Sequence, residues 1–451
     1  MRRSEASKPI QHSNLPMGVS RLHVFMVVLA TLMWMWTLTV KARTPLGTAV
    51  VGMGLFSLVR LYWKPFSIQL WKDAPQAVWR YIKTPAYSLP SLLFVAYALS
   101  AITATDFDRF WSIRMQLSVQ TFGIPGSFLL LSVIYIRYRD HLYMAFGLFA
   151  TVAAIGVGSY LWINNDAVLV ALGQGRVVPT PSGHVRFAMT LAVTAIAMWW
   201  YAIVGFSSAQ TLDQPVDWLG MPRTWLRIFA FVFAFILTCV LHLVAIRTGL
   251  LMFYLGFVVL LARILLPKVG WKGAFIALIL SVLLAGVAAT QIPSLSRKLA
   301  YVSFDLEQMG QKGQKTYSDA GRFASIMAGL EVVREHPLTG APNGDISAAM
   351  HSAYAKTGNP TVTHPPHNQF LYSWVAAGLL GFLGVCAVLI GPLIDSRFWR
   401  KPLLAEGWIM MAAMFMIEAP LESDIGIGLC LLVLYLPKIG EGLRPKEPGQ
   451  E

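Results

Sequence analysis

The stretch that decides the fold runs from residue 226 to 266 and reads LRIFAFVFAFILTCVLHLVAIRTGLLMFYLGFVVLLARILL. It contains two apolar runs of about 20 residues, each long enough for a helix to cross some 30 Å of hydrocarbon. Between Arg227 and Arg263 the one charge is Arg247, in the break Arg247-Thr248-Gly249. That break is too short for a loop, so the two runs read as consecutive spans joined at a membrane surface. Lipid offers no partner for a backbone N–H or C=O, so open-ended spans must be helical.

Working outward, ten further apolar runs flank these two. Together the twelve cover roughly 24–40, 45–62, 89–105, 120–137, 141–163, 184–206, 226–246, 248–266, 273–290, 368–393, 403–418 and 423–439. The composition agrees. The chain has 451 residues, 56% of them hydrophobic, and only 13% are Asp, Glu, Lys or Arg, against about 25% in soluble domains. Mean hydropathy is +0.58. These values exclude a soluble globule, a disordered chain and a disulfide scaffold. The expected fold is all-α: a polytopic helical membrane protein of about 12 transmembrane helices with one large periplasmic loop that contains helices. The expected division is residues 1–290 for helices one to nine, 291–367 for the loop, 368–440 for helices ten to twelve, and 441–451 for a cytoplasmic tail. Cys239, Cys386 and Cys430 all fall inside apolar runs and read as packing residues. Arg2, Arg3, Lys8 and Arg21 precede the first run with no small-residue cleavage site after it, so a retained anchor is expected.

Charge gives the orientation. With both termini in the cytoplasm, inner segments hold 22 of the 36 Lys and Arg residues; the outer ones hold 14, seven of them in the long loop. Long loops translocate regardless of charge, so the bias supports that orientation. It also accounts for most of the net charge of +14 without any nucleic acid.

The long loop is where polar chemistry collects. Ser318 suits an N-cap. Phe323, Ile326, Met327, Leu330 and Val333 recur at helical spacing. His336-Pro337 and Gly340 then end the helix. The expectation is an amphipathic helix that packs its apolar face on the outer end of the bundle. The cluster His364-Pro365-Pro366-His367-Asn368 follows, at the entry to span ten. Prolines are tolerated in the first turn of a helix, and the positive helix end there disfavours imidazolium. A neutral imidazole is what a general base must be, although an ordinary interfacial histidine would look the same. A zinc reading fails on spacing, because the prolines forbid a regular helix between His364 and His367 and no third ligand is evident.

Three arginines are candidate anion ligands, since the guanidinium fork matches phosphate oxygens. Arg247 lies at a span boundary, where snorkelling is the alternative. Arg322 stands in the first turn of the loop helix, where a cation is unfavourable, with an Asp319 salt bridge as the alternative. Arg176 is in the outer loop Gly173-Gln174-Gly175-Arg176, where simple solvation is the alternative. Glu418, Glu422 and Asp424 cluster between the last two spans. A carboxylate there can orient a histidine or pair with an arginine, or simply be solvated.

The order of these pieces resembles the bacterial O-antigen ligase and polymerase superfamily. A span ends in Arg247-Thr248-Gly249. A long outer loop follows, with Gly321-Arg322-Phe323 opening a helix. Then come Glu335-His336-Pro337-Leu338-Thr339-Gly340, His364-Pro365-Pro366-His367-Asn368-Gln369-Phe370-Leu371 and the glycines of Gly378-Leu379-Leu380-Gly381. The resemblance is best over roughly 240–390. Where the family continues with Val/Ile-Gly-x-Gly, this chain has Ala341-Pro342-Asn343-Gly344.

The resemblance implies a GT-C-like membrane glycosyltransferase. Such an enzyme moves O-antigen from undecaprenyl diphosphate to lipid A–core oligosaccharide on the periplasmic face of the inner membrane. It implies His367 as base, and Arg247 and Arg322 as diphosphate ligands. Glu418 is carried over as a late carboxylate. Arg176, Asn368 and His364 complete the expected substrate-binding set. No cofactor and no metal are expected; the partners are the two lipid-linked glycans and membrane lipids. A polymerase and a protein O-oligosaccharyltransferase would share the donor machinery. The compact loop and the absence of an extra C-terminal domain favour the ligase. A transporter would need ionisable groups at mid-membrane depth, and the mid-span regions are almost free of charge, with His242 the main exception.

Overall fold

The computed structural model describes residues 83, 88–89, 91–101, 132–173, 179–180, 183–205, 223–291, 296, 318–341, 345–358, 364–394, 398–399, 401 and 403–435. Among them the regular structure is all helical. In chain order the helices are α1 (Ser91–Ala101), α2 (Ser132–Ile163), α3 (Asn165–Gly173), α4 (His184–Ile203), α5 (Arg223–Val244), α6 (Arg247–Gln291), α7 (Ser318–Glu335), α8 (Ile346–Lys356), α9 (Gln369–Leu393), α10 (Leu404–Ile417) and α11 (Asp424–Cys430). A 3-10 turn, Pro420–Glu422, precedes α11, and a π-helical turn, Leu431–Tyr435, continues it.

Five helical segments are long and apolar enough to cross a membrane: Tyr143–Ile163, His184–Ile203, Arg223–Val244, Arg247–Gly273 and Gln369–Leu393. Leu404–Ile417 is a shorter apolar helix. The first two expected spans, the N-terminal anchor and the 441–451 tail lie outside the described residues, and the spans at 89–105 and 120–137 are described only in part.

Helix α4 is the centre of the bundle. Fourteen of its residues, from Phe187 to Tyr201, are buried, because α2, α5, α6 and α10 all pack against it. Helix α5 is two-sided. Ala230, Ala234, Leu237 and Leu241 are buried, while Phe229, Phe231, Val232 and Phe235 are exposed. Small residues inward and large apolar residues outward are what a helix needs when its other neighbour is lipid.

Close approaches give the helix directions. A Cβ on Gly249 would meet the Cβ of Ala188 at 2.5 Å, and one on Gly256 would meet Met410 and Ile196. The α4 positions 188 and 196 thus match the α6 positions 249 and 256 in the same order, so these two helices run parallel. The starts of α4 and α6 and the end of α5 therefore share one end of the bundle. Only Ala245 and Ile246 separate α5 from α6, and Ala245 turns the chain with φ 52°.

Two expected boundaries come out differently. The inner loop expected between 266 and 273 is a single break inside α6, where Pro267 lacks an N–H and Gly270 takes φ 67°, ψ −178°. The span expected over 368–393 is broken at Ala377 and Gly378. Residues 370 and 382 of a straight helix would lie about 18 Å apart. Here the Phe370 and Phe382 rings are 6.1 Å apart, and those of Trp374 and Phe382 are 4.8 Å apart. The two halves of α9 therefore fold against each other.

A third difference concerns α7. The helix forms as expected and ends at His336-Pro337. Its large apolar residues Phe323, Met327 and Leu330, expected to pack on the bundle, are instead exposed. The buried side is Ala324, Ser325, Ala328 and Val332, with Val333 beside it. A Cβ on Gly329 would meet Leu371 and Pro366 at 2.9 Å. The segment entering α9 thus lies so close that only small side chains fit between.

Candidate active site

Three separate elements meet at the bundle end where α9 begins. Helix α7 brings Arg322 in its second turn. The extended segment 364–368 brings His367. The C-cap of α10 is Glu418, in β conformation, which turns its side chain out of the helix line. Glu418 joins the other two. Its Oε1 accepts from Arg322 Nη2 at 2.7 Å, and its Oε2 lies 3.0 Å from His367 Nδ1. These groups are partly shielded, with side-chain exposures of 27% for Arg322, 31% for His367 and 14% for Glu418.

Burial by itself pushes the Glu418 carboxyl up. The hydrogen bond from His367 and the charge of Arg322 outweigh it and hold the group below its ordinary range. An ionised carboxylate only accepts, so the nitrogen facing it, His367 Nδ1, is the donor, and in the uncharged form of the ring Nε2 is then an acceptor. Both readings of the late carboxylate are thus realised together: it orients a histidine and it pairs with an arginine.

The backbone around His367 is held firmly. Its N–H donates to Ser325 Oγ at 3.2 Å, and that hydroxyl donates to the Arg322 carbonyl at 2.7 Å. Asn368 is the N-cap of α9: its Oδ1 accepts from Leu371 N at 3.0 Å and its Nδ2 donates to the Met416 carbonyl at 3.0 Å. Each end of the Asn368 amide therefore has a protein partner, which fixes its orientation. Gln369 accepts from Leu421 N at 2.8 Å and donates to Ser373 Oγ at 3.1 Å. Glu422, from the same acidic cluster as Glu418, accepts from Tyr97 at 3.2 Å. Helix α1, the start of α9 and the 3-10 turn after α10 are thereby tied together beside the site.

His364 is exposed, with its ring 6.2 Å from that of His367, and its carbonyl accepts from Tyr354 of α8 at 2.7 Å. Burial pushes the Tyr354 phenol up to about 12, so it stays a donor. Arg247 is the half-buried first residue of α6, at the bundle end where α4 also begins. Arg176 lies outside the described residues.

Ser325, Tyr354 and Gln369 were not among the sequence candidates. Ser325 sits one turn beyond Arg322, and nothing in the local pattern separates it from a helix-surface serine. A cleft of about 240 Å3 opens beside Glu418, lined by Gly183, His184, Arg186, Met414 and Ser423 among others. Arg186 and His184, at the start of α4, were likewise unforeseen. Among the described residues, no three His, Cys, Asp or Glu side chains group as a metal site would require.

No curated protein matches the sequence. The family model described as O-antigen ligase matches residues 229–386. That segment runs from α5 through α9 and contains Arg247, Arg322, His364, His367 and Asn368; Glu418 and Arg186 lie outside it. By this match the segment from α5 through α9 is similar to the O-antigen ligase family.

Proposed function

We propose that the protein is an O-antigen ligase of the inner membrane. It would transfer glycan from undecaprenyl diphosphate to the lipid A–core oligosaccharide at the periplasmic end of the bundle, with both termini in the cytoplasm. The observation that carries the reading is the single carboxylate of Glu418 held between Arg322 and His367.

The chemistry follows from that arrangement. The acceptor hydroxyl oxygen attacks the anomeric carbon of the donor sugar. The bond from that carbon to the diphosphate oxygen breaks, and undecaprenyl diphosphate departs with the electron pair. Attack opposite the leaving group inverts the anomeric centre. The hydroxyl proton passes to His367 Nε2, and Glu418 stabilises the imidazolium so formed. The guanidinium of Arg322 has five donors in a rigid fork, one of which is spent on Glu418 Oε1. With Arg247 and Arg176 it would supply fixed positive charge for the leaving diphosphate. His364 would contact substrate at the rim of the site. No step calls for a metal ion.

The test is lipopolysaccharide and the undecaprenyl-linked pool from a strain lacking the gene. Bare core with long chains retained on undecaprenyl diphosphate is the expected result. Core bearing single repeats would assign a polymerase instead. A normal lipopolysaccharide ladder with an unglycosylated protein target would assign a protein O-oligosaccharyltransferase. Complementation by His367→Ala or Arg322→Ala at wild-type level would overturn the residue roles.

A further inference from the structure

The outward face of α7 is unlike the surface of a helix that meets water. Phe323, Met327 and Leu330 lie at i, i+4 and i+7 and are 61%, 43% and 48% exposed. Leu338, just past the helix end, is 69% exposed. Three large side chains in one row make a continuous apolar stripe.

Two observations say what covers it. First, the stripe continues into surface that belongs to a membrane-spanning helix. The Leu338 carbonyl lies directly against Gly378, and the Trp374 indole donates to the Pro337 carbonyl at 2.8 Å. The next residues of α9, Leu379, Leu380 and Leu383, are exposed leucines on a helix apolar enough to span. Second, the row ends in a cation. Arg334 is one further turn along the same face, at i+11 from Phe323, and its side chain is 82% exposed. An apolar row finishing in an exposed arginine matches a bilayer interface, with the row among acyl chains and the guanidinium at headgroup phosphates.

We propose that α7 is an interfacial helix, seated with the Phe323–Met327–Leu330 face in the leaflet at the site end of the bundle. Arg322 immediately precedes this row in sequence and holds Glu418 from the same helix. Membrane seating therefore sets the height of the arginine–carboxylate–histidine group at the lipid surface. The proposal concerns the bilayer itself and stands apart from the identity of the transferred glycan.

The test uses full-length protein with Cys239, Cys386 and Cys430 replaced by alanine. A nitroxide is placed at Phe323→Cys, Met327→Cys or Leu330→Cys, in vesicles of phosphatidylethanolamine and phosphatidylglycerol. Phe235→Cys on α5 serves as the lipid reference and Glu335→Cys as the water reference. The expected result is several-fold greater collision with oxygen than with a water-soluble nickel chelate at 323, 327 and 330, as at 235, and the reverse at 335. Greater nickel access at the three positions would overturn the proposal. So would low access to both reagents, which would mean that protein covers the stripe. Oxygen access that appears only on adding undecaprenyl phosphate would make the stripe a prenyl-chain subsite, and would also overturn it. Should the cysteine replacements unfold the protein, a photoactivatable phenylalanine analogue at Met327 in the unaltered background reads the same question: crosslinking to phospholipid is expected, and crosslinking to protein alone refutes the seating.

Discussion

At the scale of single residues the site turns on Glu418. Its carboxyl is lowered in the folded chain by His367 and Arg322 despite burial. A lowered folded value means that the stabilisation is fully present above the unfolded value, about 4.3, and is lost as pH falls through the folded one. Thermal unfolding of wild type and Glu418→Gln should therefore differ at pH 7, and the difference should shrink as pH falls below the unfolded value toward the folded one. A difference that stays constant over that fall would mean that the charge is not what matters. On activity, His367→Ala removes the acceptor nitrogen and should cost about 10²–10⁴-fold in kcat. Glu418→Gln keeps the side-chain volume but deprives the imidazolium of its counter-charge, so kcat should fall while the KM for donor changes little. Arg322→Lys should recover less than half of the activity lost in Arg322→Ala, because a point charge cannot reproduce a fork.

At the scale of elements the fold-back of α9 decides where the site can be. The turn depends on Gly378, whose φ 64°, ψ −157° falls in a region open essentially to glycine, with the Leu338 carbonyl directly against it. Gly378→Ala should cost about 1–3 kcal/mol from the backbone alone, and more from that contact. A scan of detergent-solubilised protein should show a lowered Tm and lost activity together. The start of α9 is a milder case. Asn368→Ala removes the N-cap at a cost of about 1 kcal/mol and frees the segment that presents His367, whereas Asn368→Asp keeps the cap acceptor and should retain more of the Tm.

At the scale of the whole molecule the bundle has a second polar knot, away from the site. Arg263 of α6 donates to both oxygens of Glu406 on α10, at 2.9 and 2.7 Å, and to the Lys401 carbonyl at 3.1 Å. Its guanidinium also lies 4.6 Å over the Trp200 ring of α4. The pair joins three helices, with Glu406 fully buried. Arg263 is 16 residues along α6 from Arg247, about 24 Å on a helical rise, so this knot braces the end opposite the active-site candidates. Removing one partner leaves a buried charge uncompensated, which costs about 3–5 kcal/mol. Glu406→Ala should therefore lower Tm strongly, while the folded fraction keeps wild-type kcat per molecule. Loss of kcat with Tm unchanged would give the pair a part in the reaction.

Hydrophobic run length alone determined that this chain is helical and built for a membrane, because lipid accepts no other open-ended backbone. Local chemistry also placed the loop helix, its end at His336-Pro337 and the start of α9 at Asn368, since caps and prolines act within a few residues. Tertiary structure alone decided the rest. Arg322, His367 and Glu418 are separated by up to 96 positions, and charge pairing over that distance leaves no mark on the local pattern. The sharp fold of α9 reads in sequence as one uninterrupted span, because Gly378 looks like a packing glycine until the Leu338 carbonyl is placed beside it. The apolar row of α7 was legible as a row, but periodicity says only that a face avoids water. Whether protein or lipid covers that face depends on what stands opposite, and here the small residues Ala324, Ala328 and Gly329 took the protein side because the segment entering α9 comes too close for anything larger.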